Sequence, residues 1–294
     1  GGDVQHVELC LREKDAAKAL YEAHELDFFD LRGLAPAELD RLRQVHAEDY
    51  ISAPCPTTWY VAFNTRRPPF DDMRVRQALA LAIDKERLVN VATGGIHALA
   101  SGGLVPPAVP GHSPGIALPR QLERAQQLLT EAGYPGGSGF PSQELQCAAY
   151  PRMEPLASEL QRQWQENLHI WVPFELLTLP TFMQKVEKES CHAFLSGWMA
   201  DYPDPDNFLR VCLQWQRTGW QSTAYNTLVE KARQTPRAAE RMQLFGEAER
   251  ILIVEATIIP LTHERLHFLV KPWVKLPLSP FRWWFWKDVI IAAH

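Results

Sequence analysis

The sequence predicts a mixed α/β fold, and three observations carry the prediction. Apolar stripes with helical spacing alternate along the chain with short β-rich runs. Cap and breaker residues stand between many of these segments, as Asp72 and Gly133 do. The chain has 294 residues and is 46% hydrophobic, so it can bury the core of one large or two moderate domains. Alternating helices and strands are typical of α/β proteins.

The first elements form a predicted β-α-β-α series. Residues 4–12 alternate in polarity, which indicates a strand, and residues 26–31 form a short apolar run that predicts another. Asp15 can cap the helix between them. A second helix is expected from Pro36, since proline suits a first helical turn. The residues predicted to face inward are Ala16, Ala19, Leu20 and Ala23 in the first helix, and Leu39, Leu42 and Val45 in the second.

Cap residues define the next part of the chain. A strand is predicted at 59–64, and Asp71 or Asp72 and then Asp84 each begin a helix. Residues 101–119 hold four Gly and five Pro and predict a structured loop. A helix follows from Pro119, and Gly133 ends it, because glycine tolerates the positive φ wanted after a last turn.

The C-terminal half continues the alternation. Strands are predicted at 143–149, 170–178 and 194–198, the second near a sheet edge because it contains proline. Leu156, Leu160, Trp164 and Leu168 recur every four residues and indicate a helix. The longest helix is expected from Pro236, followed by strands at 258–261 and 267–270.

Composition excludes several classes of protein. Charged residues make up 22% of the chain and are interspersed, with a net charge of −5, so nucleic acid is not expected as a partner of this region. The longest apolar runs are too short to span a membrane. The five cysteines lack metal or redox spacing, and we expect small buried hydrophobic side chains. No signal peptide is recognisable, so the N-terminus is mature, engineered or cut from something longer.

One stretch matches a metalloprotease pattern. His263, Glu264 and His267 fit H-E-x-x-H, which binds zinc when both imidazoles lie on one helical face. The flanking residues are β-rich and bounded by proline, and four residues of strand span about 13 Å, beyond the reach of one metal ion. Downstream, Asp288 and His294 are the remaining candidates for a third ligand. We therefore predict a strand here and keep a zinc hydrolase as a minor alternative. No metal or other cofactor is expected.

The acidic turn after the predicted strand at 194–198 is the most informative stretch. Asp201, Asp204 and Asp206 lie within six residues, beside Trp198, Tyr202 and Phe208. A carboxylate beside aromatic faces suits an ammonium ligand. We expect Asp206 to cap the following helix and Asp204 to face water, as in an ordinary Pro-Asp turn. For Asp201 the binding and structural interpretations both stay open, and calcium is a further possibility for the three carboxylates.

Several stretches, in order, resemble the family-5 periplasmic solute-binding proteins, the oligopeptide- and dipeptide-binding group. The similar segments are Tyr60-Val61-Ala62-Phe63-Asn64-Thr65, Pro69-Phe70-Asp71-Asp72-Met73-Arg74-Val75-Arg76-Gln77-Ala78, Ala82-Ile83-Asp84-Lys85, Leu128-Leu129-Thr130-Glu131-Ala132-Gly133-Tyr134, Gly197 through Phe208, Leu269-Val270-Lys271-Pro272-Trp273-Val274 and Lys287-Asp288-Val289-Ile290-Ile291. The resemblance covers essentially the whole chain.

This resemblance implies a periplasmic-binding-protein-like α/β fold of type II, peptide-binding class, with two lobes around a cleft. Residues 60–270 resemble one entire lobe, which carries the acidic turn. Residues 1–59 and 271–294 resemble part of the first lobe, much of which we expect to be absent from this sequence. The predicted domains are therefore 1–59 with 271–294, and 60–270.

The resemblance also implies the site residues. Asp201 falls on the carboxylate that, in similar peptide binders, pairs with the α-amino group of the ligand, and Trp198 and Tyr202 match neighbouring cleft positions. Oligopeptide binders carry an arginine for the ligand's carboxylate three residues before that tryptophan, where this chain has Leu195. Nickel- and haem-binding relatives share the fold, so the family does not fix the ligand.

The function implied is a solute-binding receptor of an ABC importer, not an enzyme, that holds peptides or similar small cationic solutes in an inter-lobe cleft. Its expected partners are that ligand and an ABC transporter permease. Its expected location is periplasmic, or extracellular and membrane-associated, without spanning the membrane. The alternative is a ligand-sensing module of a cytoplasmic transcriptional regulator, because similar binding domains occur fused behind DNA-binding segments.

Overall fold

The computed structural model describes residues 4–150, 153–277 and 288–293. Two residues named from the sequence, Lys287 and His294, lie outside these ranges. Contacts divide the chain into two compact units, Gly1–Cys55 with Arg265–His294, and Pro56–Glu264. The chain leaves the first unit within strand β2 (Tyr50–Phe63) and returns to it within strand β7 (Ile258–Val270). The assignment of these units to two lobes of a binding protein stays a prediction.

The first unit is organised around the end of β7. Strand β1 pairs with it in antiparallel fashion, with Phe28 opposite Val270. Lys271 is buried, and its ammonium lies 4.0 Å from the centre of the Tyr21 ring. The Tyr21 hydroxyl donates a hydrogen bond to Asp49 at 2.7 Å. The remaining elements of this unit are α1 (Lys14–Glu22), β1 (Phe28–Asp30), α2 (Pro36–Val45), β8 (Val274–Lys275) and β9 (Ile290–Ile291).

Four predictions for this unit are wrong. Residues 4–12 form no strand, because the alternation there meets no partner strand, and Leu11 is 93% exposed. Helix α1 begins after Glu13 and not at an Asp15 cap, and it buries Ala17 and Tyr21 instead of the predicted alanine face. Val45 points outward. The inward positions predicted for α2 at Leu39 and Leu42 are confirmed.

The second unit is built on a mixed sheet in the order β7-β2-β6-β4-β5, with β3 paired to β7. Strand β6 is antiparallel to β2 and parallel to β4, and β4 is parallel to β5. Strand β5 lies at the edge, as its proline indicated. The strands are β3 (Ala98–Leu99), β4 (Leu145–Ala148), β5 (Phe174–Leu177) and β6 (Ala193–Met199).

The helices of this unit begin largely where cap residues predicted them. The Asp72 carboxylate accepts the Arg74 N–H at 2.8 Å, and the Asp84 carboxylate accepts the Arg87 N–H at 2.9 Å. Gly133 has φ +98° after the last turn of its helix. The helices are α3 (Met73–Leu81), α4 (Lys85–Thr93), α5 (Leu122–Glu131), α6 (Met153–Leu168), α7 (Leu179–Glu187), α8 (Leu213–Gln216), α9 (Thr223–Gln234) and α10 (Ala238–Val254), with a 3-10 turn at Pro135–Gly137 and a π-helical turn at Asn207–Cys212.

Several further expectations are settled by these elements. Residues 101–119 contain neither helix nor strand, as predicted, and α10 is the longest helix described. The two strands predicted at 258–261 and 267–270 are instead one continuous strand, β7. Helices α7 and α9 were not predicted. Four of the five cysteines are buried, as expected: Cys55, Cys147, Cys191 and Cys212.

Candidate functional site

The candidate site begins where β6 ends. Strand β6 is buried over its first four residues, becomes half-buried at Gly197 and Trp198, and is exposed at Met199. Its parallel neighbour β4, and β5, which is parallel to β4, finish at the same end of the sheet. The carboxyl ends of parallel strands are where open α/β sheets commonly bind ligands. The fold therefore places Trp198 and the acidic turn at the end of the sheet where the carboxyl ends of the parallel strands lie.

Asn207 joins the predicted site residues. Its side-chain oxygen accepts the Trp198 indole N–H at 2.7 Å and lies 3.4 Å from the backbone nitrogen of Asp201. Its amide nitrogen donates to the Asp201 carboxylate at 3.2 Å. Because Asn207 is fully buried, these bonds are shielded from competing water. The structure thus brings Trp198 and Asp201 together through a residue that the sequence analysis missed.

Asp204 is neutralised within the turn. Arg241 donates two hydrogen bonds to its carboxylate, at 2.5 and 2.8 Å, and the same guanidinium stacks over Phe245. Such a bidentate pair is stronger than a single charged hydrogen bond. The expectation that Asp204 simply faces water is therefore wrong.

Asp206 is neutralised as well. Arg210 and the Tyr202 hydroxyl donate to its carboxylate at 2.8 and 2.9 Å, and Arg233 lies 3.6 Å away. Burial raises the pKa of Asp206, but the hydrogen bonds from Arg210 and Tyr202 and the nearby guanidinium charges lower it further, so the net pKa is below its ordinary value. The expected helix cap by Asp206 is wrong. Instead, the Asp204 carboxylate accepts the Asp206 N–H at 2.9 Å, because the turn places that amide two residues after an aspartate.

Asp201 differs from these two aspartates. It is exposed, and among the described residues its carboxylate accepts one side-chain hydrogen bond, from the neutral amide of Asn207. Among the residues that the structure describes, no lysine, arginine or histidine forms an ion pair with it. The acidic turn therefore presents one carboxylate whose negative charge is not balanced by a side chain of the described protein.

Two aromatic residues lie near Asp201 in the chain, Trp198 and Tyr202, and Trp198 bonds the same Asn207 side chain. Trp198 is half-buried and lies 5.9 Å, centre to centre, from Trp215. Tyr202 is 38% exposed, although its hydroxyl is held by Asp206, so what it offers to a ligand is its ring. An ammonium beside a carboxylate and aromatic rings gains both an ionic hydrogen bond and a cation–π interaction. The arrangement fits a primary amine or an α-amino group.

Leu195 stands at the position where the family resemblance implied an arginine for a ligand carboxylate. It is fully buried in the apolar core of the second unit and pairs across the sheet with Val61. A guanidinium could not replace it there without burying a charge among apolar side chains.

The H-E-x-x-H match lies on β7, which confirms the predicted strand. Thr58 donates its hydroxyl proton to the Leu104 carbonyl at 2.8 Å, so the same hydroxyl accepts from the His263 Nδ1–H at 2.9 Å. Burial lowers the pKa of His263 to about 3, helped by the positive fields of His112 and Lys85. The His267 Nδ1 lies 2.5 Å from the Tyr50 hydroxyl. Over the described ranges, no group of three or more His, Cys, Asp or Glu side chains could hold a metal ion.

A family comparison identifies the chain. The model of the bacterial extracellular solute-binding proteins, family 5 middle region, matches residues 6–220. This chain belongs to that family. The match covers the candidate site through Asn207 and Trp215 but not the C-terminal elements from α9 onwards.

Individual relatives agree with this membership. The chain is 28% identical over 244 residues to the periplasmic oligopeptide-binding protein OppA of Escherichia coli, covering 79% of this chain and 43% of the relative. It is 31% identical over 234 residues to heme-binding protein A of Haemophilus influenzae, covering 76% and 42%. The chain thus spans less than half the length of these curated relatives.

A solved structure shows the fold. The structure of the Escherichia coli murein tripeptide binding protein MppA superposes with a TM-score of 0.77 at 24% identity, covering 95% of this chain and 56% of that protein. The expected α/β fold of the periplasmic peptide-binding class is confirmed. In the part of the chain that is described, every helix is too short or too polar to cross a bilayer.

Proposed function

We propose that this chain is part of a solute-binding receptor that captures peptides or similar small cationic solutes for an ABC importer. Asp201 carries the proposal, because it is exposed beside aromatic rings while the two other carboxylates of the turn are neutralised by arginines. A positively charged ammonium of the ligand balances the negative charge of Asp201. Trp198 and Tyr202 flank that ammonium with their rings.

Family membership supports reversible binding, not catalysis, as the activity. Relatives are named for oligopeptides or for heme, so the site and not the fold must select the ligand. In this proposal, ligand binding favours a closed conformation of the receptor over an open one. A periplasmic location and an ABC permease as partner follow from the same proposal.

The experiment is calorimetric titration of the chain with trialanine and with N-acetyl-trialanine. We expect Asp201→Asn to weaken trialanine binding more than tenfold without lowering the melting temperature, since the carboxylate is exposed and pairs with no cation of the described protein. Acetylation of the peptide should have a similar effect on the wild-type protein. The matched control is Asp71→Asn, which also removes an exposed carboxylate. Equal affinities of wild type and Asp201→Asn for trialanine would remove Asp201 from the site.

A further inference from the structure

Residues 102–113, which we call the covering loop, pack against the acidic turn of the candidate site. A Cβ atom at Gly111 would stand 2.7 Å from the Pro205 ring and 2.7 Å from the Met242 sulfur, so this glycine lies directly against both side chains. Pro205 belongs to the acidic turn, whereas Met242 is part of helix α10. The covering loop therefore supports the turn that carries Asp201.

A second contact joins the covering loop to the strand that pairs with Trp198. Thr58 stands opposite Trp198 in the register of β2 and β6. The Thr58 side chain is fully buried, and its hydroxyl donates to the Leu104 carbonyl at 2.8 Å. The loop thus contacts the surroundings of the candidate site at two places, Pro205 in the turn and Thr58 in the neighbouring strand.

Glu249 fastens the covering loop to helix α10. Its side chain is fully buried, and one carboxylate oxygen accepts the Val105 N–H at 2.8 Å. Gly103 packs so closely on this carboxylate that a Cβ atom there would overlap it. About two turns earlier on the same helix, Arg241 donates to the Asp204 carboxylate of the acidic turn at 2.5 and 2.8 Å. Helix, loop and turn are therefore joined in a closed ring of contacts.

A proton on Glu249 favours the packed position of the loop. The ordinary pKa of Glu249 is 4.5, and burial raises it to about 7. The groups that lower this pKa are the Val105 N–H, the Ser113 hydroxyl, the Leu104 N–H and the charge of Arg250. A conformation in which the loop leaves α10 exposes the carboxylate to water and returns its pKa towards 4.5. By linkage, the packed conformation is most favoured below about pH 4.5, becomes less favoured up to about pH 7 and changes no further above that.

Other titratable groups lie near Glu249 or the covering loop. Burial holds the pKa of Tyr225 on α9 well above its ordinary value. Burial also lowers the pKa of His263 on β7 to about 3 and that of Lys85 on α4 to about 8. His112 lies within the loop and bonds a backbone carbonyl there at 2.6 Å. Because Glu249→Gln retains all of these groups, comparing it with wild type at one pH isolates the charge of Glu249.

We propose that Glu249 is a positioning residue for Asp201, which acts through the covering loop and Pro205 and holds the acidic turn most firmly when it carries a proton. This proposal rests on the proposed function, in which Asp201 holds the ammonium of the ligand. It adds regulation to that function. Ligand capture weakens as the pH rises from about 4.5 to about 7, because a smaller fraction of the protein has the turn in its binding arrangement.

Hydrogen exchange of residues 197–208, followed by mass spectrometry on the ligand-free chain, measures how firmly the turn is held. We expect wild type and Glu249→Gln to exchange equally at about pH 4, where Glu249 is protonated in either conformation of the loop. At about pH 7.5 the turn should exchange about threefold or more faster in wild type. The matched control is Glu247→Gln, which removes an exposed carboxylate of the same helix and should behave as wild type.

Trialanine affinity, measured by calorimetry, should follow the same pattern. We expect equal affinities of wild type and Glu249→Gln at about pH 4, and an affinity about threefold or more lower in wild type at about pH 7.5. Titration of the peptide itself affects both proteins alike, so the ratio of the two affinities reports Glu249. A purely structural role of Glu249 would change the melting temperature but would leave this ratio the same at both pH values.

The route through Pro205 has a test of its own. Gly111→Ala drives a methyl group into the Pro205 ring, and we expect faster exchange of the turn and weaker trialanine binding at both pH values. Gly115→Ala is the matched control, because Gly115 also has a positive φ, of +72°, but no atom of the described residues lies within 4 Å of a Cβ placed there. In the Gly111→Ala background, Glu249→Gln should no longer change the affinity at about pH 7.5.

The outcomes separate this proposal from the proposed function. If the exchange of the turn differs between wild type and Glu249→Gln at about pH 7.5 while trialanine does not bind, the hold of Glu249 on the turn is supported and the ammonium site fails. If trialanine binds both proteins equally well at that pH, Glu249 does not position Asp201 and this proposal is overturned. Equal exchange rates would overturn it as well, and so would equal effects of Gly111→Ala and Gly115→Ala.

Discussion

The side-chain amide of Asn207 donates a hydrogen bond to the carboxylate of Asp201, 3.2 Å away. The two residues stand on opposite sides of a Pro-Asp turn, and the bond fixes the direction in which the carboxylate points. Asn207 is buried whereas Asp201 is exposed, so a rigid residue orients an accessible one. Such support for a binding group reduces the side-chain ordering that ligand capture requires.

Replacing Asn207 should therefore weaken ligand binding without removing the charge that binds. Asn207→Ala leaves the Trp198 indole N–H without its acceptor and lets Asp201 adopt other rotamers. We expect about 1 to 3 kcal/mol lower free energy of unfolding, because a partly buried donor loses its partner. Trialanine affinity should fall less than in Asp201→Asn. Urea unfolding and calorimetry measure the two effects, with the exposed Asn226→Ala as control. Undiminished affinity would mean that Asn207 does not position Asp201.

Asp206 should contribute to stability and not to ligand capture. Asp206→Asn removes the charged acceptor of Arg210 and Tyr202, and we expect the free energy of unfolding to fall by about 1 to 3 kcal/mol at neutral pH. Because the folded pKa of Asp206 lies below its ordinary value of 3.8, its ionised form stabilises the fold above that value. The stability difference should vanish as the pH falls through the folded pKa.

Urea unfolding of Asp206→Asn and wild type at about pH 7 and about pH 3 checks this dependence. The exposed Asp71→Asn serves as control. A difference that persists unchanged at the acidic pH would show that Asp206 acts through packing instead of charge. A loss of trialanine binding in a folded Asp206→Asn protein would show that the turn was divided wrongly into structural and binding carboxylates.

Local signals predicted many helices and strands correctly, because caps and apolar spacing act within a few residues. Asp72 and Asp84 accept backbone N–H groups at the starts of their helices, as the predicted helix caps require. Helix α7 was missed although its signal was present, since the Thr178 side chain accepts the Thr181 N–H and Pro180 follows at the second helical position.

Errors arose where distant partners decide the structure. Residues 4–12 alternate like a strand, but a strand needs a neighbour to bond, which local alternation cannot supply. The inward face of α1 is set by Tyr21, whose hydroxyl bonds Asp49 and whose ring contacts Lys271. These partners are far from Tyr21 in the sequence, so a prediction from apolar spacing alone assigned the wrong inward face to α1.

The candidate site was predictable in part for the same reason. Asp201, Trp198 and Tyr202 are close in sequence, so their common location followed from one turn, although their role in binding stays a prediction. Asn207 was missed because the sequence does not show which groups a polar residue after a Pro-Asp turn will form hydrogen bonds with. Trp215 was missed because its contact with Trp198 crosses a π-helical turn that has no simple sequence pattern.

Gly197 allows strand β6 to pack closely against the Trp59 ring of strand β2. It lies opposite Trp59 on β2, and a Cβ atom at Gly197 would stand 2.6 Å from the Trp59 ring. We expect Gly197→Ala to lower the free energy of unfolding by about 1 to 3 kcal/mol, because overpacking displaces the ring. The displacement should also disturb neighbouring Trp198 and reduce trialanine affinity.

A double-mutant cycle with Trp59→Leu separates the clash from other effects of the alanine. The Trp59 indole N–H is buried without an acceptor among the described residues, so the leucine variant loses no hydrogen bond. In the Trp59→Leu background, Gly197→Ala should lower the free energy of unfolding much less than it does in wild type. The difference between the two losses is the coupling energy of these neighbouring residues. If the two losses were additive, the Trp59 ring would not be the reason that position 197 requires a glycine.

Glu249 should make the stability of the second unit depend on pH. It is fully buried on α10 and accepts the Val105 N–H at 2.8 Å, which ties residues 101–119 to that helix. Burial raises the pKa of Glu249 from its ordinary 4.5 to about 7, against the lowering effect of the Val105 hydrogen bond. Between those values the folded protein binds a proton that the unfolded chain does not. Stability is therefore lost as the pH rises from about 4.5 to about 7 and changes no further above that.

Glu249→Gln should remove this dependence while keeping an oxygen for the Val105 N–H. At about pH 8 we expect the variant to unfold at a higher temperature than wild type, with a gain of at most about 3 kcal/mol, since one pKa unit corresponds to about 1.4 kcal/mol. At about pH 4 the difference should be close to zero, because Glu249 is then protonated in the unfolded chain as well as in the folded protein. Glu247→Gln, an exposed change on the same helix, controls for altered net charge. A variant that is less stable than wild type at the higher pH would show that Glu249 is held as a carboxylate that its surroundings stabilise.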